Sequence, residues 1–353
     1  MNHYQQQIDT IAQKGLARQL NAISPVENGY CLYKEERLLN LSSNDYLGLG
    51  DDAGLKAEFS ALLAEHPEWM QFGACSSRLL TGNSSLYDET EEILKKSYGS
   101  QSALFFNSGY HANVGILPAL TDKQDLILSD KLCHASMIDG IRLSHADHIR
   151  YRHLDYYHLD DILNKKRHLY RHVFIVTESI FSMDGDEADL RVLANLKAHH
   201  NAFLYVDEAH AVGVKGIKGL GSCEEQRVME RMDILVGTLG KAFASVGAFA
   251  VFNQTFKDVL VNKARTLLFT TALPPINMAW SKFILERMAG FTKEREQLRK
   301  LANQLSNDLT EAGFPTVASH ILPVMVGENE AAIQLSNHLR REGFLVFPIR
   351  PPT

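Results

Sequence analysis

The sequence predicts an α/β protein: a large unit on a mainly parallel central sheet, followed by a smaller C-terminal α/β unit. Three observations predict it. Short, almost wholly apolar runs recur at 103–106, 126–128, 173–177, 203–206, 234–236 and 248–252. Helical patterns lie between most of these runs. A Pro274-Pro275 pair then introduces long helical stretches and a second, shorter alternation. Strands covered on both faces read as continuous apolar runs, and parallel neighbours need a helical crossover to bring the chain back.

The elements follow in order. Residues 1–45 read as an N-terminal helix and strand segment, 46–275 as the large unit, and 276–353 as the small one. A chain of 353 residues at about 150 residues per domain agrees with two or three such units. Leu86, Thr90, Ile93, Leu94 and Ser97 share one helical face. After the run at 103–106, Ser108-Gly109-Tyr110-His111-Ala112-Asn113 opens a helix. Further helices are predicted at 134–144, 159–166 and 190–200. In the small unit the pattern predicts helices at 277–289, 292–312 and 331–342, with strands at 321–326 and 345–349. The chain stops straight after that last strand, so the small unit is expected to be incomplete at its end.

Composition excludes several classes. Charged residues are 22% and hydrophobic residues 45%, which excludes wholesale disorder. The net charge of −6 speaks against a protein held by nucleic-acid phosphates. The longest stretch without a charged side chain, 97–121, is broken by Gln101, Asn107, His111, Asn113 and Pro118. It reads as strand, turn and helix rather than a membrane span. The polar opening from Asn2 to Gln7 carries the expectation that no signal peptide is present. Cys31, Cys75, Cys133 and Cys223 show no C-x-x-C spacing, so neither a zinc ribbon nor a disulfide framework is expected. A cytoplasmic setting with no metal, membrane or nucleic-acid partner follows as an expectation.

The chemistry concentrates where predicted strands end, as expected for parallel sheets. Lys241 is the only charged side chain between Ile234 and Phe256. A lysine with so little charged company is either desolvated, and then nucleophilic as the neutral amine, or snorkelling to solvent. Asp207 ends the run Phe203-Leu204-Tyr205-Val206, with His210 three residues on. A carboxylate there can hold a protonated ring nitrogen, bind a metal or cap a helix. The stretch Asp207-Glu208-Ala209-His210 also spells a helicase box, but the required phosphate loop is missing. Gly237 to Ala242 is two residues short and has alanine where the magnesium-binding hydroxyl belongs.

Ser108, Gly109 and Tyr110 stand at a helix N-terminus, which favours phosphate. His134 follows the strand at 126–128, where an imidazole can stack on a flat ring or simply be solvated. Glu178 and Ser182 follow the strand at 173–177, and Asp184 and Asp186 read as turn residues. Taken together, a phosphate cradle, a stacking ring, a carboxylate, an acid–hydroxyl pair and an isolated lysine are what pyridoxal 5'-phosphate (PLP) requires.

These motifs, in this order and spacing, resemble the α-oxoamine synthase family over essentially the whole chain. The matching stretches are Ser42-Ser43-Asn44-Asp45-Tyr46-Leu47-Gly48-Leu49, 108–113, His134-Ala135-Ser136, 181–186, 206–210, 238–243 and 349–353. The resemblance implies the type I PLP-dependent transferase fold and a homodimer with sites at the subunit interface. It implies that Lys241 anchors PLP covalently and later moves the substrate proton. Asp207 would pair with the ring nitrogen, His134 would stack on the ring, and Ser182 and His210 would lie near its phenolic oxygen. Ser108, Gly109, Tyr110 and Thr238 would hold the phosphate, and Thr270 or Thr271 would reach the neighbouring subunit's phosphate. Asn44, Glu178 and Arg350 would face the substrate.

The activity implied is an acyl transfer with loss of carbon dioxide. L-Alanine would condense with pimeloyl-CoA or pimeloyl-acyl carrier protein, giving the amino ketone of biotin synthesis. The alternative within the family is glycine with acetyl-CoA; a remote one is a non-catalytic subunit of this fold. Two stretches depart from the family pattern: Gly73-Ala74-Cys75, and the glycine-poor turn Ala244-Ser245-Val246-Gly247-Ala248. The family also continues past Thr353 with an arginine that grips the substrate carboxylate.

Overall fold

The computed structural model describes residues 1–317 and 319–350. Among these, eleven strands form two sheets. The strands are β1 (Ile23–Pro25), β2 (Tyr30–Tyr33), β3 (Glu36–Asn40), β4 (Ser102–Phe106), β5 (Leu126–Asp130), β6 (Asp147–Tyr151), β7 (Val173–Glu178), β8 (Phe203–Asp207), β9 (Ile234–Thr238), β10 (Ala248–Phe252) and β11 (Phe344–Leu345).

The seven-stranded sheet has the order β4-β10-β9-β8-β7-β5-β6. Pairings are parallel except that β10 runs antiparallel to both neighbours. Reversal at β10 alone leaves β4 pointing the same way as β5 to β9. Six carboxyl ends therefore open on one edge of the sheet. All residues of β4, β5, β7, β9 and β10 are buried, which is why these segments read as unbroken apolar runs.

The helices that precede and interleave with these strands include α1 (Asn2–Gln13), α2 (Ala53–Glu65), α3 (Ser85–Tyr98), α4 (Gly109–Leu120), α5 (Ala135–Leu143), α6 (Tyr156–Lys166) and α7 (Leu190–His199). Local chemistry starts several of them. The side chains of Asp52, Ser108, Asp155 and Asp189 each accept from a first-turn N–H of the helix they precede. Two hydrophobic layers cover the sheet. One includes Leu94, Phe105, Leu204 and Phe283, and the other Ile116, Met137, Val236 and Phe252.

The second sheet, β1-β2-β3-β11, joins the two ends of the chain. Phe344 and Leu345 pair in parallel with Leu39 and Asn40. Helices Pro275–Arg287, Thr292–Glu311 and Asn329–Arg341 form where the pattern predicts them.

Several elements differ from the sequence reading, among them the unpredicted helix Gln254–Lys263. The strand expected at 321–326 is irregular. Pro323 offers no N–H to a ladder, and Met325 is left 80% exposed. The strand expected at 345–349 shrinks to β11, because Pro348 interrupts it in the same way. Strand β6 was hidden by its charges, Asp147 and Arg150, which are usual on a sheet edge. Helix α2 escaped the reading as well. The motif stretch 349–353 lies outside the described residues beyond Arg350. No helix among the described residues is long and apolar enough to cross a membrane.

Candidate active site

The site assembles at the shared carboxyl edge. Register sets its centre: Glu178 of β7 lies beside Asp207 of β8, and Asp207 beside Val236 of β9. Lys241 follows β9 by three residues. Ala248 pairs with both Thr238 and Phe106, which draws the β4–α4 turn to the same place.

Lys241 is half-buried, and its Nζ lies 2.7 Å from His210 Nε2. Burial lowers the Lys241 ammonium from its usual value, opposed by the charges of Asp207 and Glu178. His210 is 7% exposed. Burial, reinforced by the Lys241 charge, pushes its pKa down to about 2, so the ring is neutral. Its Nδ1 lies 2.7 Å from the Tyr46 hydroxyl, which lies 3.1 Å from Asn44 Oδ1. The Tyr46 ring also meets His320 edge-on, with centroids 4.5 Å apart. A continuous polar chain thus runs from Lys241 to the exposed Asn44.

Asp207 is 5% exposed. Its Oδ2 accepts from Asn113 Nδ2 at 2.8 Å, and its Oδ1 from the Ala209 N–H at 2.9 Å. Asn113 is fixed in turn. It donates to Ser136 Oγ at 2.9 Å, and Tyr205 donates its hydroxyl proton to Asn113 Oδ1. Glu178 is buried, and its Oε1 accepts from the His134 N–H at 2.6 Å. Burial, then the Asp207 charge, pushes the Glu178 carboxyl well above the usual carboxylate range. That bond seats His134 at the start of α5, where its Nδ1 lies 2.7 Å from Ser136 Oγ and its ring is exposed.

Ser108 caps α4, leaving the first N–H groups, those of Gly109 and Tyr110, without an intrahelical acceptor. Gly109 lies against Thr238, where a Cβ would come within 3.8 Å of the threonine. Tyr110 donates to Asp139 at 2.8 Å. Asn107 Nδ2 donates to Thr270 Oγ1 at 3.2 Å and to the Thr271 carbonyl at 2.7 Å. Asn107, the residue before Ser108, thus fixes the segment that carries both threonines. Ser182 is half-buried in the turn after β7.

Arg350 stands apart. Its guanidinium donates to the carbonyls of Gly15 and Ala17, tying the chain's two ends together. The expectation of a substrate clamp finds no support in that arrangement.

Sequence reasoning missed Tyr46, Asn107 and Asn113 as partners of the site. Asn113 did leave a signal: it is a polar residue at helical spacing from the apolar Ile116 and Leu117, and the structure buries it with them, at 1% exposure. Its carbonyl also explains Gly140. A Cβ on Gly140 would fall 2.4 Å from the Asn113 oxygen, so only glycine lets α5 approach α4 here. Gly140→Ala is expected to cost about 1–3 kcal/mol and to move Asn113 from Asp207. An unchanged thermal midpoint would contradict this packing.

The residues fit a phosphate-bearing aromatic aldehyde. One end offers helix N–H groups and the Thr238 hydroxyl, and the other a carboxylate held by two donors. A desolvated amine lies beside a neutral imidazole, and an exposed ring flanks the opening.

The comparisons agree. The family model "Aminotransferase class I and II" matches residues 36–353. The 8-amino-7-oxononanoate synthase of Chlorobaculum parvum is 53% identical over 319 residues, 90% of this chain and 81% of that protein. The solved 8-amino-7-oxononanoate synthase of Francisella tularensis is 30% identical, with a TM-score of 0.74 over 89% of each chain. Serine palmitoyltransferase of S. paucimobilis, solved with bound PLP, is 27% identical. It matches with a TM-score of 0.88 over 98% of this chain and 90% of its own. The fold that opens six strand ends on one edge of the sheet is thus the type I PLP-dependent fold, and the chain belongs to the class I and II aminotransferase family, in its branch of 8-amino-7-oxononanoate synthases.

Proposed function

We propose that this chain condenses L-alanine with a pimeloyl thioester, releasing carbon dioxide and free thiol and giving 8-amino-7-oxononanoate for biotin synthesis. The observation that carries the reading is the desolvated Lys241 amine, 2.7 Å from a neutral imidazole. Asp207 and Glu178 act on its charge. The relatives' names give the product, and the substrates are those that the family resemblance implies.

Bound PLP supplies an electron sink that stabilises a carbanion at the amino acid's α-carbon. Lys241 anchors it, then takes the α-proton at Nζ and later returns a proton to the product. Neutral His210 accepts from or donates to Lys241 Nζ without itself becoming charged. Asp207 keeps the ring nitrogen protonated through its fixed negative charge. His134 would stack on the ring and limit the approach of water. Gly109, Tyr110, Ser108 and Thr238 would hold the phosphate at the start of α4, and Ser182 and His210 would serve the phenolic oxygen. Asn44, at the open end of the Tyr46–His210 chain, faces the amino acid, as does Glu178.

The working unit in this proposal is a homodimer. Exposed Phe72, Leu80 and Phe269 support it. They lie on neighbouring segments, joined by the Ala272 N–H bond to the Ser76 carbonyl. Their burial against a partner would bring Thr270 and Thr271 to the partner's phosphate.

Steady-state rates test the substrates. Alanine with pimeloyl-CoA or pimeloyl-acyl carrier protein is expected to exceed glycine with acetyl-CoA, and serine with palmitoyl-CoA, by at least about 10²-fold in kcat/KM. A preference for either other pair would overturn the substrate choice and leave the reaction class standing.

A further inference from the structure

His153, on the loop after β6, lies between two carboxylates from different parts of the chain. Its Nδ1 is 2.7 Å from Asp130 Oδ1 and its Nε2 is 2.8 Å from Asp186 Oδ2. Asp130 is fully buried at the end of β5. It organises the segment leading to His134, accepting at its side chain from the N–H groups of Leu132 and Leu154 and at its carbonyl from Cys133 N–H. Asp186 closes the turn that carries Ser182, its carbonyl accepting from the Phe181 N–H at 3.0 Å. The sequence suggested a turn role for Asp186, but its carboxylate reaches out of the turn. Its Oδ1 is buried with no partner among the described residues, and His153 is the ion-pair partner of Asp186 among them. The Phe181 ring meets His153 edge-on at 4.6 Å. Behind the turn, Gly185 leaves no room: a Cβ there would lie 2.2 Å from the Ile321 carbonyl.

We infer that His153 is a positioning residue: as an imidazolium it clamps the loop leading to His134 to the turn carrying Ser182, and so holds two sides of the cofactor site in register. This rests on the reading of that site as the PLP site. The physical reason is donor count. An imidazolium donates from both nitrogens, whereas a neutral ring donates from one and turns a lone pair on the other carboxylate. With both carboxylates at hydrogen-bond distance, only the charged ring satisfies both.

Burial acts to lower the His153 pKa, but the bonds to Asp130 and then Asp186 outweigh it, and the ring stays protonated above the usual histidine range. Asp130 and Asp186 are the charges facing the ring from the elements against it. On its own loop, Arg152 is paired with Asp155 at 2.7 Å. Because the folded pKa is raised, the clamp is complete below about pH 6.5, the ordinary histidine value, and is lost as pH rises through the raised one.

The test titrates PLP into the full chain and into His153→Gln from pH 6 to pH 9, following the absorbance of the lysine-bound cofactor. Hydrogen exchange of peptides covering 130–134 and 181–186 is measured without PLP. Any dependence arising from Lys241 is common to both proteins, so the ratio of their Kd values isolates the clamp. The wild type is expected to bind about tenfold more tightly at pH 6, and the two to converge as pH rises. Exchange in both segments should be faster in the variant at pH 6, and that difference should shrink as pH rises. Asp186→Asn, which leaves the ring in place, should shift the point of convergence to lower pH. A Kd ratio constant across pH, or unchanged exchange, would overturn the clamp. Should neither protein bind PLP while exchange still follows the expected pattern, the cofactor reading fails and the clamp stands as a structural device. Should His153→Gln not fold, the shift in Asp186→Asn decides alone.

Discussion

Lys241→Ala is expected to abolish turnover, by about 10⁴-fold or more, and to remove covalent attachment of PLP altogether. Among the described residues no other amine lies within hydrogen-bonding distance of His210, so none of them takes its place at that point. The variant still presents the phosphate cradle and the Asp207 carboxylate, so it should bind PLP non-covalently, with the visible band of the free aldehyde. Borohydride reduction followed by peptide mass mapping should mark Lys241 in the wild type and no lysine in the variant. Near-normal turnover, or a reduced adduct on another lysine, would refute the assignment. Because Lys241 is buried beside two carboxylates that oppose its deprotonation, attachment should also grow easier as pH rises through its lowered pKa, since the neutral amine attacks.

Asp207→Asn carries the second largest effect, an expected fall of about 10²–10³-fold in kcat with a smaller change in KM, as for loss of a preorganised charge. The change removes the negative charge that would hold a ring nitrogen protonated. It also leaves one acceptor oxygen for two donors, the Asn113 amide and the Ala209 N–H. A spectroscopic sign separates charge from shape. Asp207 helps to hold the Glu178 carboxyl above its usual range, so its neutralisation should let Glu178 ionise at lower pH. An isotope-edited carboxylate titration reads that directly. A kcat within threefold of wild type would end the proposed role. An unmoved Glu178 titration would show that burial alone sets its pKa.

The two departures in the family's glycine-rich stretches have a structural counterpart. Cys75 and Ala244 both adopt positive φ, 55° and 47°, where a side chain is strained by about 1–2 kcal/mol. Glycine at either place is expected to be tolerated or mildly stabilising in thermal unfolding, after allowing for its greater freedom in the unfolded chain.

The central strands and the chemistry at their ends were legible because both are local. Burial on two faces writes unbroken apolar runs at β4, β5, β7, β8, β9 and β10. A lone lysine after β9 and an aspartate ending β8 stand out against them. Edge strand β6 was not legible, since half-exposed positions accept charge and blur the pattern. The expected strand at 321–326 failed because an apolar run says nothing about whether a partner strand lies beside it, and Pro323 weakens any pairing.

What the sequence by itself determined is the set of reactive groups, their order along the chain and their place at strand ends. What only the tertiary structure decided is which of them touch. That β1–β3 complete their sheet with β11, some 300 residues on, depends on long-range pairing that no local window contains. The same holds for Tyr46 on His210, Asn113 on Asp207, and His153 between Asp130 and Asp186. Each is a short polar contact across a large sequence separation. Its energy depends on burial and alignment created by the whole fold, and neither is written in the neighbourhood of the residue itself.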